Sequence, residues 1–461
     1  MSLLDEIHKK EFELLKLRHE NEKKNNGDSG LKEQIKNLEK EIENLEIQLS
    51  EKDVKIALLK DQLNNASGCE DALEDVPIIT IPDNLAFKGA MGAGAYATGG
   101  KEKEEYVITN LNHSGEGSFG EALELAAQEN GLRITTAVEG NIILPERLDM
   151  TLNNTSIDLR GPNGKGITIT GETLILKGNN NIFRYFRKRR GTKDKDAFSG
   201  YYLTNSILDH LSFSFGEDEA ASFVTDTNKD FKDVTIQNCF FAESKTGSLV
   251  GSQNSNGNNF YDYTDRISFL NNLFYNVSHR FANFYANGRG DFVGNVVWNM
   301  KKRLIRANGN IKLNQYGNYY DYGTPIHDAI LNHFGWEPNH SPLIFTANNK
   351  IVSINDVREE FGLTYSIEEM NAQNWKSWKW FEDNKPQGVK RGDQLPGDFF
   401  TNTAFEWLGV EPLLKSPDEA FDYALENAGC NIVRDGWDAE WINKIKNGER
   451  TEYLDEPYPT I

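Results

Sequence analysis

Acidic and basic residues recur at related intervals through the middle of the chain: Asp194 with Asp196 two places on, then Asp218, Lys245, Arg280 and Arg303. Two aspartates at a spacing of two project to one face of a strand. A third from a neighbouring turn makes three hard oxygen donors, a partial shell for Ca²⁺, which takes about six to eight oxygens. Lys245 and Arg280 then stand where an acidic sugar held at such a metal would extend. The chemistry this set permits is β-elimination, in which the proton next to a carboxylate is removed. A metal on that carboxylate offsets the developing enolate charge by several kcal/mol. Arginine normally stays protonated, so Arg280 as the base requires desolvation and a neighbouring cation, for which Lys245 is the candidate. Competing readings use the same residues: exposed loop aspartates, a salt bridge from Arg280 to them, or a hydrolase pairing Asp194 or Asp196 with Asp218 at about 5–10 Å.

These residues are far apart in sequence, so a repeating scaffold has to gather them. The phrases NIFRYFR about Tyr185, ILDHLSF about His210, TIQNCFF about Asn238, FLNNLFY about Asn272, FVGNVVW about Asn295 and QYGNYY about Asn318 step by 25, 28, 34, 23 and 23 residues. Short β-rich segments at such a period, with Asn or Gly between them, are the mark of stacked supersecondary units. The expected fold is all-β, a right-handed parallel β-helix. Its coils lie roughly 4.7–4.9 Å apart, so the charged residues, seven to nine places after each centre, form a column.

The chain of 461 residues is long enough for a solenoid and an accessory segment, and its 39 glycines and 11% aromatics suit a turn-rich β body. A net charge of -20 argues against general affinity for nucleic acid or anionic membrane. Local charge departs from it: Arg184, Arg187, Lys188, Arg189, Arg190, Lys193 and Lys195 form a basic stripe, read either as a solvated strand edge or as a substrate contact. Cys69, Cys239 and Cys430 make no disulfide framework. No cleaved signal and no apolar run of membrane-spanning length is visible. An extracellular substrate would therefore require another route of export, and otherwise the protein is cytoplasmic.

The ends follow other rules. Positions 31, 35, 38, 42, 45, 49, 52, 56, 59 and 63 keep a four-three step, with Lys52 alone polar, which predicts an α-helical coiled coil within residues 1–68. It implies a homo-oligomer, dimer or trimer. Residues 69–85 read as a linker, 86–322 as the β-helix, and 323–461 as a helix- and loop-rich extension packed on it. EALELAAQEN, stopped by Gly131, predicts a short helix over the open end of the solenoid. SPDEAFDYALENAG, with Ser416 as N-cap, and DAEWINKIKNG predict helices in the extension. Its tryptophans, Trp336, Trp375, Trp378, Trp380, Trp407, Trp437 and Trp441, are expected to pack rather than to bind sugar.

Three stretches together resemble polysaccharide lyase family 1, the pectate lyases: GAGAYATGG with VITNLNHSGEGSFGEAL, ILDHLSFSFGEDEAAS, and SPDEAFDYALENAG with RDGWDAEWINKIKNG. The resemblance covers about Ala86 to Ile461. It implies that Asp194, Asp196 and Asp218 are calcium ligands, Lys245 a substrate-binding and catalytic-site lysine, Arg280 the catalytic base, and Arg306, with Arg303, an arginine near the substrate. The chain departs from the family where Arg280-Phe281-Ala282 replaces Arg-x-Pro, and where Ser222 replaces an acidic ligand, with Glu217 or Glu219 as possible substitutes. The departures put homogalacturonan in doubt as substrate. With the coiled coil in front, the arrangement resembles a bacteriophage tail spike or fibre that degrades an acidic surface polysaccharide, or a virion adhesin that has lost activity.

Overall fold

The computed structural model describes Gln34 and Lys36, which are helical, and residues 84–252, 260–300, 305–323, 334–335, 340–353, 379–381, 391–394 and 399–452. The coiled coil expected over 1–68 lies outside these apart from Gln34 and Lys36, as do nearly all of the linker and Arg303.

The described residues of the unit Ile81–Ile461 wind into a parallel β-helix. A nine-stranded ladder runs through Gly140–Leu144, Ile167–Gly171, Phe186–Arg189, Ser212–Ser214, Phe240–Ala242, Leu273–Tyr275, Val296–Met300, Tyr319–Tyr322 and Lys350–Ser353. The other faces form one 18-stranded sheet, in which the long strand Phe198–Asp209 joins two ladders by pairing with Ala221–Thr225 at its start and Phe231–Gln237 at its end. All six sequence phrases fall at the corner where this sheet hands over to the nine-stranded one. The corner residue takes positive φ in each coil: Tyr185, His210, Asn238, Asn271, Gly294, Gly317 and Asn348, between 51° and 67°. Asparagine and glycine tolerate that conformation best.

The residue after the corner does a second job. Asn272, Asn295, Asn318 and Asn349 are buried, and each carboxamide oxygen accepts the backbone N–H of the coil before it, as from Asn272 to Asn295 (3.0 Å) and Asn295 to Asn318 (2.8 Å). Backbone groups that a corner would orphan are thereby satisfied inside the solenoid. The centres taken from the sequence at Asn272, Asn295 and Asn318 thus stand one residue beyond the true corners.

The interior is apolar and stacked in register. Phe213, Phe241 and Phe274 form one inner column, with ring centroids 5.4 and 4.6 Å apart. Lys188 is the exception in that column, paired in register with Ile169 and Phe213. Its ammonium donates to the carbonyls of Gly171, Arg189 and Arg190, and burial pulls its pKa down to about 7 against the pull of Glu172.

Two expectations are corrected. The strand rhythm does not end at Tyr322: Leu343–Ala347, Lys350–Ser353 and Phe400–Thr401 extend the ladders, because Asn348 and Asn349 repeat the corner chemistry after a longer excursion. The basic stripe is neither solvated nor free for substrate at its centre. Arg187 and Arg189 are buried, and they meet Asp435 and Asp438 of the extension. Asp435 caps the helix Gly436–Lys446, and Ser416 closes a capping box on Pro417–Asn427. Trp441, buried against Phe215, Phe240 and Tyr275, seals these helices to the outer face of the nine-stranded sheet. The expected cap helix spans Phe119–Gln128, with Ser118 as N-cap, and buries Phe119, Ala122, Leu123 and Ala126 in the main core. Among the described residues no helix is long and apolar enough to cross a membrane.

Candidate active site

Each strand of the nine-stranded ladder leaves its sheet through a turn, and four successive turns carry the predicted residues. The turn after Phe186–Arg189 holds Asp194 and Asp196. The next holds Asp218 and Glu219, and it is tied to the first by the N–H groups of Glu217 and Asp218, both donating to the carbonyl of Lys195 (3.1 and 3.2 Å). Lys245 donates its backbone N–H to Gly216 (3.2 Å) and Thr246 to Asp218 (2.8 Å), which seats the third turn. Gly247 receives the fourth: a Cβ there would lie 2.5 Å from the carbonyl of Arg280, so only glycine allows the approach.

The stacking brings Asp196, Asp218 and Glu219 together, with one carboxylate oxygen from each lying within 4.8 Å of the others. Asp196 accepts from the hydroxyl of Ser199 (2.9 Å) and the backbone N–H of Glu219 (3.2 Å), and Ser222 bonds to it as well. Arg280 adopts positive φ (66°), and its guanidinium reaches across two turns to donate to Glu219 and to Asp218, the latter at 3.5 Å. Lys245 is exposed beside them, close enough for its charge to lower the pKa of Asp218.

Crowding three carboxylates has an electrostatic consequence. Burial and then the charge of Asp196 push Glu219 up to about 8, with Arg280 pulling the other way. Burial and Glu219 raise Asp218 to about 6 against Arg280 and Lys245, and burial raises Asp196. Burial and Asp196 thus favour the protonated form of Glu219. Arg280 is affected in the opposite sense: burial disfavours its charge, but Glu219 and Asp218 override burial and raise its pKa. Three hard oxygen donors whose charged forms are disfavoured by burial, and in Glu219 and Asp218 by a neighbouring carboxylate as well, fit a divalent cation of the calcium type.

Of the predicted metal set, Asp196 and Asp218 meet and Asp194 does not. Asp194 is exposed, with φ of 57°, and its backbone N–H, not its carboxylate, faces the next turn by donating to Glu217 (3.0 Å). The left-handed residue breaks the period-two alternation that would have put Asp194 and Asp196 on one face. Glu219 fills the third place. Arg306 lies on Ile305–Asn308, one strand beyond Asn283–Tyr285, where it donates to the hydroxyl of Tyr285 (3.3 Å), a residue close enough to Arg280 to act on its pKa.

The described turns of the parallel β-helix thus stack carboxylates, a lysine and an arginine on successive coils. Comparison with known proteins narrows the class of protein. "Probable pectate lyase C" of Aspergillus flavus is 28% identical over 379 residues, spanning 79% of this chain and 77% of that protein. The protein of the same name from Emericella nidulans is 28% identical over 373 residues, with 78% and 76% covered. Among solved structures, pectate lyase Bsp165PelA from Bacillus sp. N165 in complex with trigalacturonate superposes with a TM-score of 0.48 at 13% identity, covering 75% of this chain and 100% of that one. No protein-family model matches the chain. The chain is thus similar over most of its length to proteins named as pectate lyases, which supports reading it as a polysaccharide lyase.

Proposed function

We propose that the chain is a calcium-dependent lyase that cleaves a uronate-containing, pectate-like polysaccharide by β-elimination. The observation that carries this is the juxtaposition of Asp196, Asp218 and Glu219 with Arg280 and Lys245 on stacked turns. Asp196, Asp218 and Glu219 would hold the ion, which would neutralise a substrate carboxylate and stabilise the charge that develops on it. With those carboxylates so engaged, Arg280 loses the partners that keep its pKa high. Burial and the neighbouring Lys245 then favour its neutral form. Arg280 takes the proton from the carbon next to the carboxylate. The electron pair forms a carbon–carbon double bond, and the glycosidic oxygen leaves from the adjacent carbon with the bond's electrons and takes a proton from solvent water. Lys245, exposed at the edge of the cluster, pairs with the uronate and holds it in place.

The test is to incubate the protein with acidic glycans, with and without chelator, and follow ultraviolet absorbance. The lyase produces an unsaturated product only without chelator. A hydrolase yields reducing ends without the chromophore, and an adhesin yields neither; either result overturns the reading. The heptads within residues 1–68 extend the proposal to a dimer or trimer, suited to a virion tail fibre that presents several sites at once. A monomeric mass in sedimentation equilibrium of the full chain removes that extension.

A further inference from the structure

The surface on the chain-start side of the acidic cluster is unlike the cationic side. Along the strand Phe198–Asp209, Phe198 faces the core and Ser199 faces out, where its hydroxyl meets Asp196. The next outward residue is Tyr201, roughly 6.5 Å further along at about 3.3 Å per residue. In register on either side of it lie Lys177 and Val224. Tyr202 takes positive φ (51°), which swings its ring beside the first: the two centroids are 5.6 Å apart at 68°. Both rings are partly exposed.

Two carboxylates and two ammonium groups surround this corner, and one of the ammonium groups is paired. Lys177 sits about equally far from both rings, 6.0 and 5.9 Å from their centroids, and pairs with Asp149 at 2.7 Å. Lys229 lies over the Tyr202 ring at 5.0 Å, and the Tyr202 hydroxyl donates to Asp226. Burial and the negative charges of Asp196 and Asp226 raise the pKa of Tyr201 and hold its phenol neutral. A carboxylate placed here would meet Asp149 and Asp226 and would compete with Asp149 for Lys177. A neutral pyranose instead can lay its C–H face on an aromatic ring, which supplies a large apolar surface with little rotamer entropy to lose.

We infer that Tyr201 and Tyr202 form a subsite for a neutral sugar ring next to the acidic cluster, so that the substrate is a polymer in which a uronate is flanked by a neutral sugar. The inference rests on the lyase reading for the cleavage position but concerns a different surface. Its test compares two polymers, polygalacturonate and a rhamnogalacturonan in which galacturonate alternates with neutral rhamnose. The wild type should have the higher kcat/KM on the alternating polymer. Tyr201→Leu, which keeps apolar bulk and removes the aromatic face, should raise KM on it about tenfold at unchanged kcat. Tyr201→Phe should stay near wild type, and a thermal melt of each variant should match that of the parent. Preference of the wild type for polygalacturonate, or equal behaviour of the Leu and Phe variants, overturns the subsite. Calorimetric binding of oligosaccharides from the same two polymers separates the two proposals. If no unsaturated product forms, yet the alternating oligosaccharide binds and Tyr201→Leu weakens it, the lyase reading fails and the subsite stands. If the alternating oligosaccharide does not bind better than the uniform one, the subsite is refuted whatever the turnover.

Discussion

Replacing Asp438 by asparagine should weaken the fold more than any surface change, because it unbalances a buried set of charges. Arg189 donates to Asp438 (2.9 Å) and Asp435 (2.7 Å), the Arg187 guanidinium lies 3.5 Å from Asp438, and Ser212 donates its hydroxyl to the same carboxylate (2.7 Å). Arg189 and Asp438 are wholly buried, Arg187 is 1% exposed and Asp435 27%. In the wild type the guanidiniums of Arg187 and Arg189 are matched by the carboxylates of Asp435 and Asp438, with the charge of Arg434 close by. Asparagine keeps the volume and leaves one guanidinium uncompensated away from water, a change that costs about 3–5 kcal/mol. Trp437 and Trp441 stand at this interface, so the urea midpoint followed by tryptophan fluorescence reports the loss. Salt should hardly alter it, since buried pairs are screened far less than exposed ones. The pH dependence has a definite sign. Burial alone would raise Asp438, but Arg189 and Arg187 override it and hold the pKa below the ordinary value. Its contribution is thus present above the unfolded pKa of about 3.9 and fades as pH falls through the folded one, so wild type and variant should converge in acid. A loss under about 1 kcal/mol at pH 7, or one abolished by 1 M salt, would show that the network is solvated and the reasoning wrong.

Three further changes probe the site and its support. Arg280→Lys should abolish turnover and leave oligosaccharide binding nearly intact, because lysine keeps the charge but not the two-turn reach of the guanidinium; near wild-type turnover would remove Arg280 from the mechanism. Asp196→Asn should raise the calcium concentration needed for half-maximal activity, and an unchanged titration would count against the metal assignment. Asp209 is buried, and although burial would raise it, His210, Arg184 and Gln237 bring it down to about 2. It should contribute about 2–3 kcal/mol that is present above about pH 4 and lost as pH falls toward 2. Acid titration of Asp209→Asn with the same slope as wild type would refute that contribution.

The turn phrases were legible because one residue type does two local things. Asparagine accepts the left-handed corner and also offers a carboxamide to the neighbouring coil, so a strand–Asn–strand pattern marks both. In FLNNLFY the two tasks fall on adjacent residues, Asn271 at the corner and Asn272 in the ladder, and nothing in the sequence says which asparagine is which. The same limit explains Asp194. Spacing of two implies a shared face only while the strand continues, and the left-handed turn at Asp194 ends it. Glu219 was within sight as a substitute for the acid missing at Ser222, but only the stacking of the turns brings its carboxylate against Asp196 and Asp218. Arg187 and Arg189 were the hardest to read. Cations at alternate positions look like a solvated edge, and their partners Asp435 and Asp438 lie some 250 residues away.

On the proposed reading, the electrostatics of the cluster would tie binding and catalysis to one switch. Asp218 and Glu219 are the groups that raise the pKa of Arg280, and they are also two of the three proposed ligands. An arginine paired with them is a poor base, and carboxylates paired with an arginine are weaker ligands. The two states exclude each other: either Arg280 neutralises the cluster, or a divalent cation does and the guanidinium is left beside Lys245 with burial acting against its charge. Calcium would then be needed twice over, to stabilise the acidic sugar and to free its base. It follows that Glu219→Gln should separate these requirements, since it removes one ligand and one partner of Arg280 together. Calcium affinity should fall while the pH at which turnover reaches half its maximum moves down, and a variant that loses affinity with an unmoved pH profile would show that Glu219 does not govern the protonation of Arg280.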